Sequence, residues 1–375
     1  MYVASYEERL KKKMSSLRWE NLHIDPILFL LLLSLVFVGL VILYSATDQS
    51  LGEVSKQALR FGLGFFIMLL LAQISPKTYQ AITPTLFGIT VFLLIMVLLI
   101  GHSGHGAQRW LNLGLFHFQP SELAKLTVPM MIAWFMHEKV LPPSFKNIAI
   151  ALILLIIPVL LTAKQPDLGT AIVIMLSGVF VIILGGISWK LIISAGLSMA
   201  AAIPVLWHFL HPYQKQRILT FLNPERDPLG AGYHIIQSKI AIGSGGFAGK
   251  GYLMGTQSHL QFLPTHTTDF IFSVAAEEWG FVGSFLLIVL FTAIFARCLY
   301  ICFEGQNTFA RLWIGSLSLT FFVSMFINIG MVSGILPVVG IPLPMISYGG
   351  TSLVSLLASF GIIMSIHTHK RLLSS

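Results

Sequence analysis

PILFLLLLSLVFVGLVILY, residues 26–44, carries no charged residue and a single serine, so the helix it would form is apolar on nearly every face. A water-facing helix shows one apolar stripe opposite a polar one. A run apolar all round and close to the roughly 20 residues that cross a bilayer core reads as a membrane span. Its length, and the 25 residues before it, favour a retained first helix over a cleaved secretion signal.

The same pattern recurs along the chain, at about 57–74, 81–101, 121–137, 147–163, 169–187, 190–210, 270–303, 309–331 and 344–366. With 26–45 this predicts ten transmembrane helices in an all-α polytopic bundle, with residues 1–375 as one domain. The stretch 270–303 is long enough to hold a kink. Composition agrees: 55% of residues are hydrophobic and 10% charged, against about 25% charged in a soluble domain.

The net charge of +8 does not point to nucleic acid, because the basic residues lie between apolar runs rather than on one face or in a nucleic-acid module. They read as topology signals. Arg9, Lys11, Lys12, Lys13 and Arg18 precede the first span, Lys370 and Arg371 follow the last, and alternate connections carry Lys77, then Lys139 and Lys146, then Lys190, then Arg297 and Arg311. The positive-inside rule therefore places both termini, including segment 1–25, in the cytoplasm. Cys298 and Cys302 sit four apart in an apolar run and read as buried thiols, with no disulfide or metal framework.

Polar residues collect on the opposite side: GHSGHGAQRW (101–110), KQPD (164–167), the loop 211–268 and the Pro/Gly-rich run 334–352. The loop 211–268 is rich in aromatic, Gly and apolar residues and is read as an ordered external lid with short helices. Its GSGGFAGKG (243–251) lacks the GxxxxGK[ST] spacing of a nucleotide loop, so its glycines are expected to serve tight turns and close backbone approach. No nucleotide or organic cofactor is expected.

Asp269, in LPTHTTDFIF beside His266, Thr267 and Thr268, enters the eighth span. An ionisable group at that depth is a functional candidate, and the competing reading is a helix cap. In FQPSELAKL (118–126), Ser121 is placed to cap, while Glu122 and Lys125 share a helix face as either a structural ion pair or a holder of substrate charge. Arg109, Trp110, Lys164 and Asp167 lie on the same side. Cations there suit a phosphate or snorkel to the interface, and a carboxylate suits a base or a divalent cation.

The run NIGMVSGILPVVGIPLPMISYGGTS (328–352) resembles the signature of the shape, elongation, division and sporulation (SEDS) family. QPSELAK (119–125), KQPDLGT (164–170), GTQSHLQFLP (255–264) and TDFIF (268–272) accompany it in family order, and GTQSHLQFLP resembles the rod-shape branch rather than the division branch. The resemblance implies an inner-membrane peptidoglycan glycosyltransferase. Such an enzyme polymerises lipid II by inverting glycosyl transfer on the outer face during elongation, beside a class B penicillin-binding protein and other elongation-complex proteins. It also implies that Asp269 is the catalytic carboxylate, as base or as ligand of Mg2+ or Mn2+. Arg109, Trp110, Glu122, Lys125, Lys164, Asp167, His266 and Thr268 would then line the substrate cavity. THTTDFIF departs from the family's charged residue followed by HTDFIF, which leaves the role of His266 open. A lipid II flippase and a non-enzymatic scaffold are the rival readings.

Overall fold

The structure is a computed structural model that describes residues 22–104, 107–112, 117–209, 215, 219–221, 223, 231–259 and 265–369. Within these, a helix occupies each of the ten predicted stretches. They are α1 (Pro26–Ala46), α2 (Leu51–Ala72), α3 (Pro76–Ile100), α4 (Pro120–His137), α5 (Phe145–Lys164), α6 (Leu168–Leu184), α7 (Trp189–Phe209), α10 (Ile271–Phe303), α11 (Thr308–Val332) and α12 (Thr351–Thr368). Seven of these, α1, α2, α3, α5, α10, α11 and α12, are long and apolar enough to span a membrane.

Local chemistry sets the starts. Asp25 accepts from Leu28 N–H at 2.7 Å with Pro26 at the first turn, and Asn307 accepts from Ala310 N–H at 2.8 Å. These side chains satisfy donors that a helix end leaves open, and proline there loses no bond. α2 begins six residues earlier than expected, because hydropathy overlooks its polar first turn, GEVSK (52–56). α12 begins seven residues later than expected. Pro342 and Pro344 have no N–H to give, Met345 is left-handed at φ 60°, and the Tyr348 N–H bonds Thr267 O instead of a helical carbonyl.

Two features add to an all-α reading. Three short strands, β1 (His102–Gly104), β2 (Ala107–Asn112) and β3 (His117–Phe118), form a small antiparallel sheet in the order β1-β2-β3. The loop before α10 carries α8 (Ala231–Gly245) and α9 (Thr256–His259), short helices within the described part of 211–268.

The core lies around α4, α11 and α12. Trp313, 1% exposed, donates Nε1–H to Leu126 O at 3.2 Å. Leu59 and Phe37, by contrast, are 78% and 69% exposed on the outside of the bundle, the distribution expected where the surrounding solvent is hydrocarbon. Cys298 and Cys302 are buried free thiols.

The predicted kink in α10 falls at Gly280, with φ 65° and ψ −159°. The GSGGFAGKG loop fills it. Phe281 N–H bonds Gly246 O at 2.9 Å, and Lys250 and Gly251 N–H bond the Glu277 and Glu278 carbonyls at 3.0 Å. A Cβ on Gly249 would lie 2.1 Å from Glu278 O, and one on Gly280 would lie 2.2 Å from Gly249 N. The glycines therefore permit backbone contact that any side chain would block.

Candidate active site

Prolines and glycines keep residues 333–350 out of helix, and this strap, between α11 and α12, organises the site. Asp269 closes the turn Thr265–Phe270 before α10. Phe270, not Asp269, occupies the cap position of α10. The half-buried Asp269 carboxylate faces Gly340, where an added Cβ would sit 3.7 Å from Asp269 Oδ2. Gly340 has φ 78°, so glycine serves both the backbone turn and the room beside the acid.

The same strap meets α6 from its other side. A Cβ on Gly169 would be 2.9 Å from Val339 O. Two residues earlier, buried Asp167 caps α6 by accepting from Thr170 N–H at 3.3 Å, and its Oδ2 accepts from Gln119 Nε2 at 2.9 Å. Arg109 reaches this corner from β2, with Nε 3.9 Å from Asp167 Oδ2 and its guanidinium donating to Pro166 O. Arg109 and Asp167, two of the polar residues placed on one side from the sequence, are thus brought together.

Glu122 and Lys125 form the expected pair on α4. Lys125 Nζ is 2.7 Å from Glu122 Oε1, and Ser355 on α12 donates to Glu122 Oε2 at 2.6 Å. Glu122 is 5% exposed. Lys125 also lines a cavity of about 90 Å3 under the strap, with Ser347, Ser352, Ser355, Thr320 and Ser324 among its walls. The remaining walls are mostly apolar, among them Leu126, Phe321, Ile341 and Leu353, so Lys125 and the hydroxyls are the polar points that can hold an anionic group there. Asp269 is not among that cavity's lining; it lies by Gly340 on the same strap whose residues 341–345 and 347 wall the cavity.

The remaining predicted residues distribute unevenly. Ser121 does not cap α4, because Gln119 stands at the cap and donates to Ser121 Oγ at 3.0 Å. The Thr268 hydroxyl bonds the Thr265 carbonyl. His266 is half-buried beside the turn, and Trp110 is half-buried on β2, paired with His102. Lys164 is exposed at the end of α5, without an ion pair among the described residues. No three His, Cys, Asp or Glu among the described residues converge where they could hold a metal ion. A cation at Asp269 would therefore need substrate phosphates and water for its other ligands.

Several participants escaped sequence reasoning. Asn328, fully buried, donates from Nδ2 to Asp269 O at 3.0 Å and to Ile341 O at 2.8 Å. Buried Glu277, in an otherwise apolar run, accepts from Lys250 Nζ at 2.6 Å and from Thr256 and Gln257 N–H at 2.9 and 3.1 Å, which anchors the outer loop to α10. The adjacent acids Glu277 and Glu278 were a visible signal by the rule that singled out Asp269. His234 on α8 packs against Phe270 at 6.1 Å, and burial lowers its pKa.

Residues 25–372 match the family model FtsW/RodA/SpoVE, described as cell cycle protein. The chain is 53% identical over 357 residues to the peptidoglycan glycosyltransferase MrdB of Escherichia coli K12, covering 95% of this chain and 96% of that protein. It is 31% identical to the peptidoglycan glycosyltransferase RodA of Treponema pallidum, over 92% of this chain and 98% of that one. Among solved structures it resembles a chain from a peptidoglycan synthase complex that coordinates polymerization and crosslinking, with TM-score 0.81, 32% identity, and 92% and 99% of the two chains covered. It also resembles the rod shape determining protein RodA of Thermus thermophilus, with TM-score 0.69, 28% identity, and 92% and 96% covered. The chain is therefore a multi-pass membrane protein that belongs to the FtsW/RodA/SpoVE family.

Proposed function

We propose that this chain is a peptidoglycan glycosyltransferase that polymerises lipid II on the outer face of the cytoplasmic membrane, with both termini cytoplasmic. The observation that carries the site is the half-buried carboxylate of Asp269 beside Gly340, on the strap that also walls a cavity lined by Lys125. Asp269 accepts the proton of the acceptor's C4 hydroxyl as that oxygen bonds the donor's anomeric carbon. The bond from that carbon to the pyrophosphate oxygen breaks with inversion, and the electron pair leaves with undecaprenyl pyrophosphate. Because the leaving group is already a weakly basic anion, the step needs a base and cations more than an acid.

Lys125, Arg109 and Lys164 are the pyrophosphate partners in this reading. Glu122, Asp167 and Gln119 orient the cations, while Trp110, His266 and Thr268 border the head groups. The lipid tails lie along the apolar helices. A class B penicillin-binding protein supplies crosslinking, a reading supported by the synthase complex to which the fold is similar.

The test is polymerisation by the purified full chain, with and without that partner, given lipid II in detergent. Glycan strands are expected. Transport of lipid II across vesicle membranes without glycan formation would replace the enzyme with a flippase, and the absence of both activities would leave a scaffold.

A further inference from the structure

Three consecutive carbonyls, those of Thr267, Thr268 and Asp269, are each held from outside their own turn. Tyr348 N–H donates to Thr267 O at 2.9 Å, Ser347 Oγ–H to Thr268 O at 2.6 Å, and Asn328 Nδ2 to Asp269 O at 3.0 Å. Within the turn, Thr268 N–H, Thr268 Oγ1–H and Phe270 N–H all converge on one acceptor, Thr265 O, at 3.0, 3.2 and 3.4 Å, and Thr265 is left-handed at φ 56°. The external donors tie the turn to α11 and to the strap.

These donors are themselves fixed. Asn328 is fully buried on α11, and its two acceptors are both backbone carbonyls, which dictates that the NH2 faces them. The second of these, Ile341 O, belongs to the strap that carries Gly340 past the Asp269 carboxylate. Ser347, 6% exposed, accepts from Leu343 N–H at 2.8 Å while donating to Thr268 O, so its hydroxyl closes the strap upon the turn.

We propose that Asn328 and Ser347 are positioning residues that lock the turn bearing Asp269 to the strap and so set where its carboxylate meets the acceptor sugar. The proposal rests on the reading of Asp269 as the base. Asn328 does not line the cavity, and Ser347, which does, has its hydroxyl engaged by Leu343 N–H and Thr268 O. Their effect is geometric, and a displacement of about 1 Å at a reacting group can cost about a hundredfold in rate. An aspartate at 328 would place carboxylate oxygens where two carbonyls now receive N–H groups, which reverses the clamp rather than merely removing it.

The experiment measures initial rates of lipid II polymerisation against substrate concentration for the full chain and for Asn328→Ala, Asn328→Asp, Ser347→Ala and Asp269→Asn. Thermal midpoints in detergent are recorded in parallel. The clamp predicts that Asn328→Ala and Ser347→Ala lower kcat by about tenfold or more per folded molecule, with KM changed less than about threefold. Asn328→Asp should be the more severe change at that position. If Asn328→Ala does not fold, Ser347→Ala decides, since it removes one hydroxyl and leaves the Asn328 bonds intact. A kcat within about twofold of wild type in folded Ser347→Ala, or losses that track only the unfolded fraction, would overturn the clamp. Asp269→Asn separates the two claims. If it is inactive while the clamp variants are normal, the clamp alone fails; if it is active, the base reading fails and the clamp with it.

Discussion

Replacing Lys125 by methionine removes the cation of a pair whose acid is 5% exposed. Glu122 would keep only the Ser355 hydroxyl, 2.6 Å from Oε2, as a neighbouring donor. Breaking a buried pair from one side costs about 3–5 kcal/mol. Because Ser355 remains and the Lys125 side chain is 21% exposed, the lower end applies, about 3 kcal/mol. Glu122→Gln keeps an acceptor for Ser355 and leaves a lysine that reaches solvent, for about 1–2 kcal/mol. The double variant has no stranded charge and should lie within about 1 kcal/mol of wild type, so the two changes should be strongly non-additive. Denaturation in detergent micelles measures this coupling, and polymerisation of lipid II measures function. Because Lys125 also lines the cavity under the strap, the stable double variant should remain inactive. Near-normal polymerisation by that variant would refute substrate binding by the pair and leave it as scaffold.

Labels at positions 13 and 371 and in 139–146 should react from the cytoplasmic side, and labels in 211–268 from outside; external reaction of 139–146 would overturn the topology. Gly280→Ala, at φ 65° with its Cβ 2.2 Å from Gly249 N, should cost at least about 1–3 kcal/mol and expose 246–257 to protease. His23 stacks on His369 at 3.7 Å, and burial followed by the charge of His369 lowers its pKa below the ordinary 6.5. The fold therefore favours the neutral ring: this contribution is complete above pH 6.5 and is lost as pH falls through the depressed value. Melting between about pH 8 and pH 5 should fall more steeply for wild type than for His23→Gln.

Apolar runs such as 26–44 and 147–163 revealed their helices because a bilayer imposes a length and excludes charge. The sheet of β1, β2 and β3 was hidden, since six or fewer residues per strand leave no periodic signal against neighbouring spans. The Glu122–Lys125 pair was legible from its spacing on one helix turn. Asp167 and Arg109 were recognised as polar residues of one side, but their meeting needs β2 to fold back upon the α6 start. Asn328 and Ser347 read as ordinary polar residues in a signature run. Their roles come from bonds to Asp269 and Thr268, 59 and 79 positions away in the chain, which no local pattern encodes. Arg60 on α2, 4.5 Å over the Tyr348 ring, was hidden for the same reason.

Whether Asp269 performs the chemistry is decided by lipid II polymerisation with purified Asp269→Asn. The amide keeps the shape beside Gly340 but cannot accept the hydroxyl proton as a carboxylate does. The expected result is no glycan product above background, from a protein that expresses, melts and binds its crosslinking partner as wild type does. Glycan synthesis at a near-wild-type rate by that variant would contradict the assignment and move the catalytic base elsewhere in the site.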